Sequence, residues 1–315
     1  MKKSENKVLR SKNLLPVIAL GAAVLFWGSS FVATRVAVSA IHPQGVMLCR
    51  MLIACLVMLP FAKKLMPRTW DPGDLKLLVP MVLLQPCLYY LLESNALKLT
   101  TSSQAGVISA SVPVLVGLGA WLFLSERISV KTVVGLAISV AGVIILTLGG
   151  RDAAPGDNPL LGNSLEFGAM ICAAGGMLIL KILVRKYNPW FLTGLQFLAG
   201  VVFFSPGIRH ITAAPELLLQ ADVLLSVIFL GVFASVAAFG LYNWAMSRVP
   251  ASKAAIFINL VPVVAVILGW TILGESFTPV QTAGAVMVAA GVLTSQNLPK
   301  FSAGERTGRA CRDHS

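Results

Sequence analysis

Charge is the scarcest property of this chain. Only 12% of its 315 residues are Asp, Glu, Lys or Arg, against roughly 25% in a soluble domain. So few charges cannot cover a wet surface. With 57% hydrophobic residues and a mean hydropathy of +0.82, disorder is excluded as well. Histidine is also sparse: His42, His210 and His314 fall in loops or in the tail, so no histidine dyad is available inside a membrane. Neither HExxH nor GxxxxGK[ST] occurs, which removes zinc-peptidase and P-loop chemistry. The five cysteines (Cys49, Cys55, Cys87, Cys172 and Cys311) form no CxxC. A disulfide framework and a metal site are therefore not expected. No enzyme, cofactor or metal reading survives these absences.

What the sequence does hold is long apolar runs. A helix needs about 20 such residues to cross the hydrocarbon. Ten stretches qualify: 14–34, 46–62, 77–97, 103–124, 130–149, 164–180, 190–208, 222–246, 253–273 and 280–294. The fold class expected is an all-α polytopic membrane protein with ten transmembrane helices. The first run follows Lys2, Lys3, Lys7, Arg10 and Lys12. It is too long for a signal-peptide core and ends without a cleavage site, so it reads as an uncleaved span.

The basic residues set orientation. With the N-terminus inside, the inner segments hold 20 of the 25 Lys and Arg. Only Arg35, Arg50, Lys98, Arg151 and Arg209 are left for the outer half. This asymmetry predicts cytoplasmic N- and C-termini. It also explains the net charge of +12 without nucleic acid, because the cations are spread over short loops rather than gathered in one patch.

The chain repeats itself. At an offset of 149, Ala96 meets Ala245, Pro113 meets Pro262, Trp121 meets Trp270, Glu126 meets Glu275 and Gly135 meets Gly284. At an offset of 146, Arg35 meets Lys181, Pro43 meets Pro189 and Arg50 meets Gln196. The polar gap at 151–163 divides ten helices into five and five. An odd number per half means that the second half enters from the opposite side, giving two inverted five-helix repeats. The domain reading is a first repeat at 14–149, an outer linker at 150–163, a second repeat at 164–297 and a basic tail at 298–315.

Four segments carry a family likeness: WGSSFVATRVAV (27–38), HPQGVMLCRMLIA (42–54), SVPVLVGLGAWLFLSERIS (111–129) and NWAMSRVPASKAAIFINLVPVVAVILGWTILGE (243–275). Together they resemble the drug/metabolite transporter superfamily, EamA type. The resemblance implies a bacterial inner membrane and proton- or exchange-driven movement of small metabolites, often export. It also implies a central cavity lined by helices 1, 3 and 4 and helices 6, 8 and 9. The partners expected are a small-molecule substrate, the bilayer, and protons or an exchanged solute.

Ionisable residues within apolar segments are functional candidates by default. Arg35, Arg50 and Glu93 lie at a similar depth, and Glu93 reads as the only carboxylate well inside a span. Two accounts stand side by side. The arginines snorkel or make a static pair with Glu93, or the group forms a gate or coupling site. Lys181, the counterpart of Arg35, belongs to the same set. Trp27, Ser30, Gln85, Tyr89, Tyr90, Ser109, Asn243 and Asn259 are candidates for the cavity wall, with helix-to-helix hydrogen bonding as the plainer role. Pro113 and Pro262 are expected to kink helices 4 and 9 in mid-span. A non-transporting binding, sensing or accessory membrane protein remains the alternative function.

Overall fold

The computed structural model describes residues 2–62, 71–124, 130–149, 158–246, 248 and 257–295. The tail at 298–315 and most of the linker expected at 150–163 lie outside the described residues. Among the described residues every regular element is helical. Lipid offers no hydrogen bonds to a backbone, so each spanning segment must satisfy its own. Among the described residues eight helices are long and apolar enough to cross a membrane, and two shorter apolar helices complete the ten.

These are α1 (Lys2–Ala40), α2 (Pro43–Met58), α3 (Pro72–Leu99), a divided α4 (Ser102–Ser109 and Val112–Leu124) and α5 (Val130–Leu148). The second half holds α6 (Pro159–Leu183), α7 (Pro189–Phe204), α8 (Ala221–Ala245), α9 (Val261–Leu273) and α10 (Pro279–Ser295). Several starts are legible residue by residue. Asn158 Oδ1 accepts from Leu161 N at 3.1 Å, and Asn188 Oδ1 accepts from Trp190 N at 2.9 Å. Each asparagine precedes a proline at the first helical position, where the missing N–H has no intrahelical use.

The packing has an exchange symmetry. α1 lies against α8 and α9, and α6 lies against α3 and α4. α2 packs on α7 and α8, and α7 packs on α2 and α3. α4 meets α9, and α5 meets α10. Swapping 1 with 6, 2 with 7, 3 with 8, 4 with 9 and 5 with 10 maps this set of contacts onto itself. The α5–α10 seam is the tightest. A Cβ placed on Gly142 would sit 2.8 Å from the Gly284 carbonyl oxygen, and one on Gly284 would sit 2.8 Å from that of Gly142. Only glycine lets the two backbones approach so closely.

Local irregularities repeat as well. α3 widens into a π-helical stretch at Leu83–Leu88, and α8 does the same at Leu230–Ala237. α4 breaks at the turn 110–111 and restarts at Val112; the chain at α9 turns at 259–260 and restarts at Val261. Pro113 and Pro262 are each the second residue of the restarted helix. The mid-helix position expected of them is not what is seen: each follows a turn. The helices are interrupted at these places, but each proline stands in a first turn, where it removes no intrahelical bond.

Candidate functional site

A band of buried polar side chains crosses the apolar interior between the two halves. Arg50 on α2 is 3% exposed. Its guanidinium lies 4.2 Å from the centre of the Tyr90 ring, and its Nε donates to Ser235 Oγ at 3.0 Å, in the π-helical stretch of α8. On the opposite side Gln196 of α7, the repeat counterpart of Arg50, donates its amide to the Gln85 carbonyl at 2.9 Å. Gln85 sits in the π-helical stretch of α3, at φ −141° and ψ 113°. The helix breaks there, and a freed carbonyl in hydrocarbon needs a donor. Equivalent positions on α2 and α7 therefore each grip the widened turn of the opposite half.

Glu93 is 4% exposed and accepts a short hydrogen bond from the Tyr89 hydroxyl one turn earlier. The Tyr89 and Tyr90 rings lie 4.7 Å apart. Arg50 and Glu93 thus both spend their close contacts on neutral partners, not on each other. Arg35 stands apart from this band and donates Nη1 to the Leu97 carbonyl at 2.7 Å, near the end of α3. Lys181 lies exposed in the last turn of α6.

The reading of Glu93 as the only deep carboxylate is corrected by Glu166. α6 begins at Pro159, five residues before the apolar stretch at 164–180. Glu166 is consequently about two turns inside the helix, fully buried, and neither carboxylate oxygen has a hydrogen-bond partner among the described residues. Above it, Asn163 gathers a closed network. It accepts from Thr100 Oγ1 at 2.7 Å and donates to Gln104 Oε1 at 2.8 Å and to Thr147 Oγ1 at 3.2 Å.

The remaining cavity candidates are scattered. The Trp27 ring packs 5.3 Å from both Phe239 and Tyr242 on α8. Ser30 and Ser109 donate to the carbonyls of Trp27 and Gly106 at 2.7 Å, each within its own helix. Asn243 is half-buried on α8, and Asn259 occupies the turn before α9. Of the gate candidates, Arg35 lines a polar cleft of about 440 Å³ with Ser39, Thr101, Asp222 and Glu275.

Beside that cleft α4 and α9 are clasped. Gly274, at φ 65°, takes the left-handed conformation that ends α9 and leaves the following carboxylate beside the start of α4. Glu275 accepts from Ser102 N and Ser103 N at 2.8 Å each, from Ser102 Oγ at 3.0 Å and from Ser103 Oγ at 2.5 Å. A carboxylate at a helix N-terminus is favoured by both its free N–H groups and its dipole. The sequence aligned Glu275 with Glu126 but carried no sign of this partner, which lies 172 residues away.

The two ends of the bundle carry different ties. At one, His42 and His210 stack with ring centres 3.9 Å apart. Burial, then His210, Lys98 and Arg209, hold the His42 pKa below its ordinary value. At the other, Lys186 Nζ lies 2.9 Å from Asp71 and 2.6 Å from Asp74, and Tyr187 donates to Asp74 at 2.5 Å. The Lys186 hydrogen bond, with that of Gly73 N, holds Asp71 below the usual carboxylate range.

This architecture has relatives. A transporter of Bacillus subtilis, YetK, is 29% identical over 304 residues, covering 93% of this chain and 90% of its own. A transporter of Archaeoglobus fulgidus is 29% identical over 283 residues, covering 90% of this chain and 86% of its own. Both carry the description uncharacterized transporter. A crystal structure of 18% identity superposes with a TM-score of 0.58 over 91% of this chain and 96% of that one; the likeness is one of fold. The profile of the EamA-like transporter family matches residues 14–148 and 160–295. The chain is a multi-pass membrane protein and belongs to the EamA-like transporter family.

Proposed function

We propose that the chain is a secondary active transporter of a bacterial cytoplasmic membrane, with both termini inside, that moves a small organic metabolite outward by alternating access. The observation that carries this reading is the paired grip of Arg50 on Ser235 and Gln196 on Gln85. Two inverted halves, each held at a widened turn of the other, have two equivalent ways to rest. One opens the polar band to one side of the membrane, and its partner arrangement opens it to the other. The outward direction follows the family likeness, and the placement of the termini follows the 20 basic residues on the inner segments.

A band with a guanidinium, carboxyl groups and tyrosines suits an amphipathic solute carrying an amine or a carboxylate, which favours amino acid-like metabolites. The test is counterflow in proteoliposomes with pooled radiolabelled amino acids. Exchange above that of empty vesicles is expected, and Arg50→Gln should reduce it at least tenfold. Equal counts in protein-containing and empty vesicles would remove the amino acid reading. The same result with pooled wider metabolites would leave a binding or accessory protein of the same fold.

A further inference from the structure

We propose that Glu166 on α6 and Glu93 on α3 form one buried two-carboxylate site that holds a single exchangeable proton. Glu166 is wholly buried with both oxygens unpartnered among the described residues. A charged carboxylate without donors is not tolerated in such a place, whereas a protonated one is. The amide three residues earlier on α6 does not help, because Asn163 spends its hydrogens on Gln104 and Thr147.

The placement of the two acids follows from helix geometry. α3 and α6 are adjacent, and their ends are tied by the hydrogen bond from Asn158 N to the Leu99 carbonyl at 3.1 Å. Glu93 lies six residues before Leu99 and Glu166 eight after Asn158. At 1.5 Å per residue these are about 9 and 12 Å below the tie, so both acids occupy one level. Titratable or charged side chains on the described helices packed against α6 are Asp74, Lys76, Cys87, Tyr89, Tyr90, Glu93 and Lys98 of α3 and Lys131 of α5. Of these, Glu93 and Tyr89 stand within electrostatic reach of Glu166.

Charge balance sets the number of protons. Arg50 contributes one positive charge to the band and acts electrostatically on Glu93. Two carboxyls sharing one proton contribute one negative charge, and the buried group is neutral. On release one O–H bond breaks, its electron pair stays on the carboxylate, and the proton passes to water admitted from one side. The group then carries one net negative charge, which favours opening or a cationic replacement. This last step rests on the transport reading above; the proton site itself does not.

Infrared difference spectroscopy on the full-length protein in vesicles, titrated in H2O and D2O, tests the site without any substrate. The native protein should show a carboxylic-acid carbonyl band from the interior that disappears at high pH. Glu166→Gln should abolish it, Glu166→Asp should retain it at a shifted frequency, and Glu93→Gln should move its midpoint by about one pH unit or more. A native protein without the band, or a band unchanged in Glu166→Gln, overturns the proposal. If Glu166→Gln does not fold, the Asp variant decides: an unshifted band overturns it. Pooled amino acids then test coupling. The ratio of pH-gradient-driven accumulation to equal-pH counterflow should fall at least tenfold in Glu166→Gln, and an unchanged ratio excludes the pair from coupling. A native protein with the band but no counterflow contradicts the transport reading and leaves the proton site standing.

Discussion

At the scale of the residue, the membrane interior makes every polar atom accountable. Gln85 shows the rule from the acceptor side. Its backbone leaves helical geometry, its carbonyl loses a helical donor, and Gln196 supplies another. Both glutamines were visible in the sequence as amides in hydrocarbon, yet nothing in the sequence joined them. That bond needs α3 and α7 to be neighbours, which no local pattern encodes. Glu166 was hidden for a simpler reason. The polar residues Asn158, Asn163 and Ser164 obscure where α6 begins, and a start placed at 164 leaves Glu166 near the surface. A helix starting at the Asn158–Pro159 cap carries it inward by five more residues.

His42 yields a pH prediction at the same scale. Its pKa is lowered in the folded protein. Stacking with His210 therefore contributes fully above the unfolded value of about 6.5 and fades as pH falls through the lower folded value. Protonation also adds charge beside Lys98 and Arg209. A cysteine replacing Ile41 in a cysteine-free background should react faster with a polar maleimide at pH 5 than at pH 7.5, after correction for thiolate fraction. His42→Gln should remove that extra acceleration. A corrected rate independent of pH in the parent would show that the stack does not shield position 41.

At the scale of the element, the interruptions matter more than the helices. Proline in mid-helix costs about 3 kcal/mol against alanine, but in the first turn its cost vanishes. Pro113→Ala and Pro262→Ala should accordingly change thermal stability by less than about 1 kcal/mol each. A large gain in melting temperature for either would mean that the proline strains a continuous helix. The sequence placed both prolines correctly at repeat-equivalent positions; the residue types did not reveal that a turn precedes each.

The Glu275 clasp belongs to this scale too, because it joins the end of α9 to the start of α4. Hydrogen bonds to a charged group contribute about 1.5–3 kcal/mol each when buried, and ~1.4 kcal/mol moves a two-state ratio tenfold. Spin labels replacing Lys98 and Ser276 should report one narrow distance in the parent protein. Glu275→Ala should broaden that distribution toward longer separations, and Glu275→Gln should do so less. An unchanged distribution in the alanine variant would assign the clasp no role in holding these ends together.

At the scale of the whole molecule, apolar length made the ten-helix architecture readable before any contact was known. The exchange symmetry was foreshadowed by paired prolines, tryptophans and glycines. Its physical content, which helix touches which, was not. Orientation remains open to a direct check. Single cysteines replacing Glu216 and Arg185 in a cysteine-free background should react from opposite sides with an impermeant reagent. In intact cells only the Glu216 position should label; labelling of both, or of Arg185 alone, would break the N-inside arrangement.

The seam between α5 and α10 has one more consequence. Gly142 faces Gly284, and Gly291 faces Gly135 and Ser139, so each half presents nearly the same surface that it receives. Recognition between the halves is thus written into both pieces of chain and does not require their covalent join. A gene cut within 150–157 and expressed as two polypeptides should yield fragments that copurify from membranes and recover the thermal unfolding profile of the intact chain. Gly284→Val should prevent their association, while in the uncut protein, where tethering keeps the effective concentration high, the same change should only lower stability, by about 1–3 kcal/mol. Fragments that fail to meet would make the connecting segment a folding requirement.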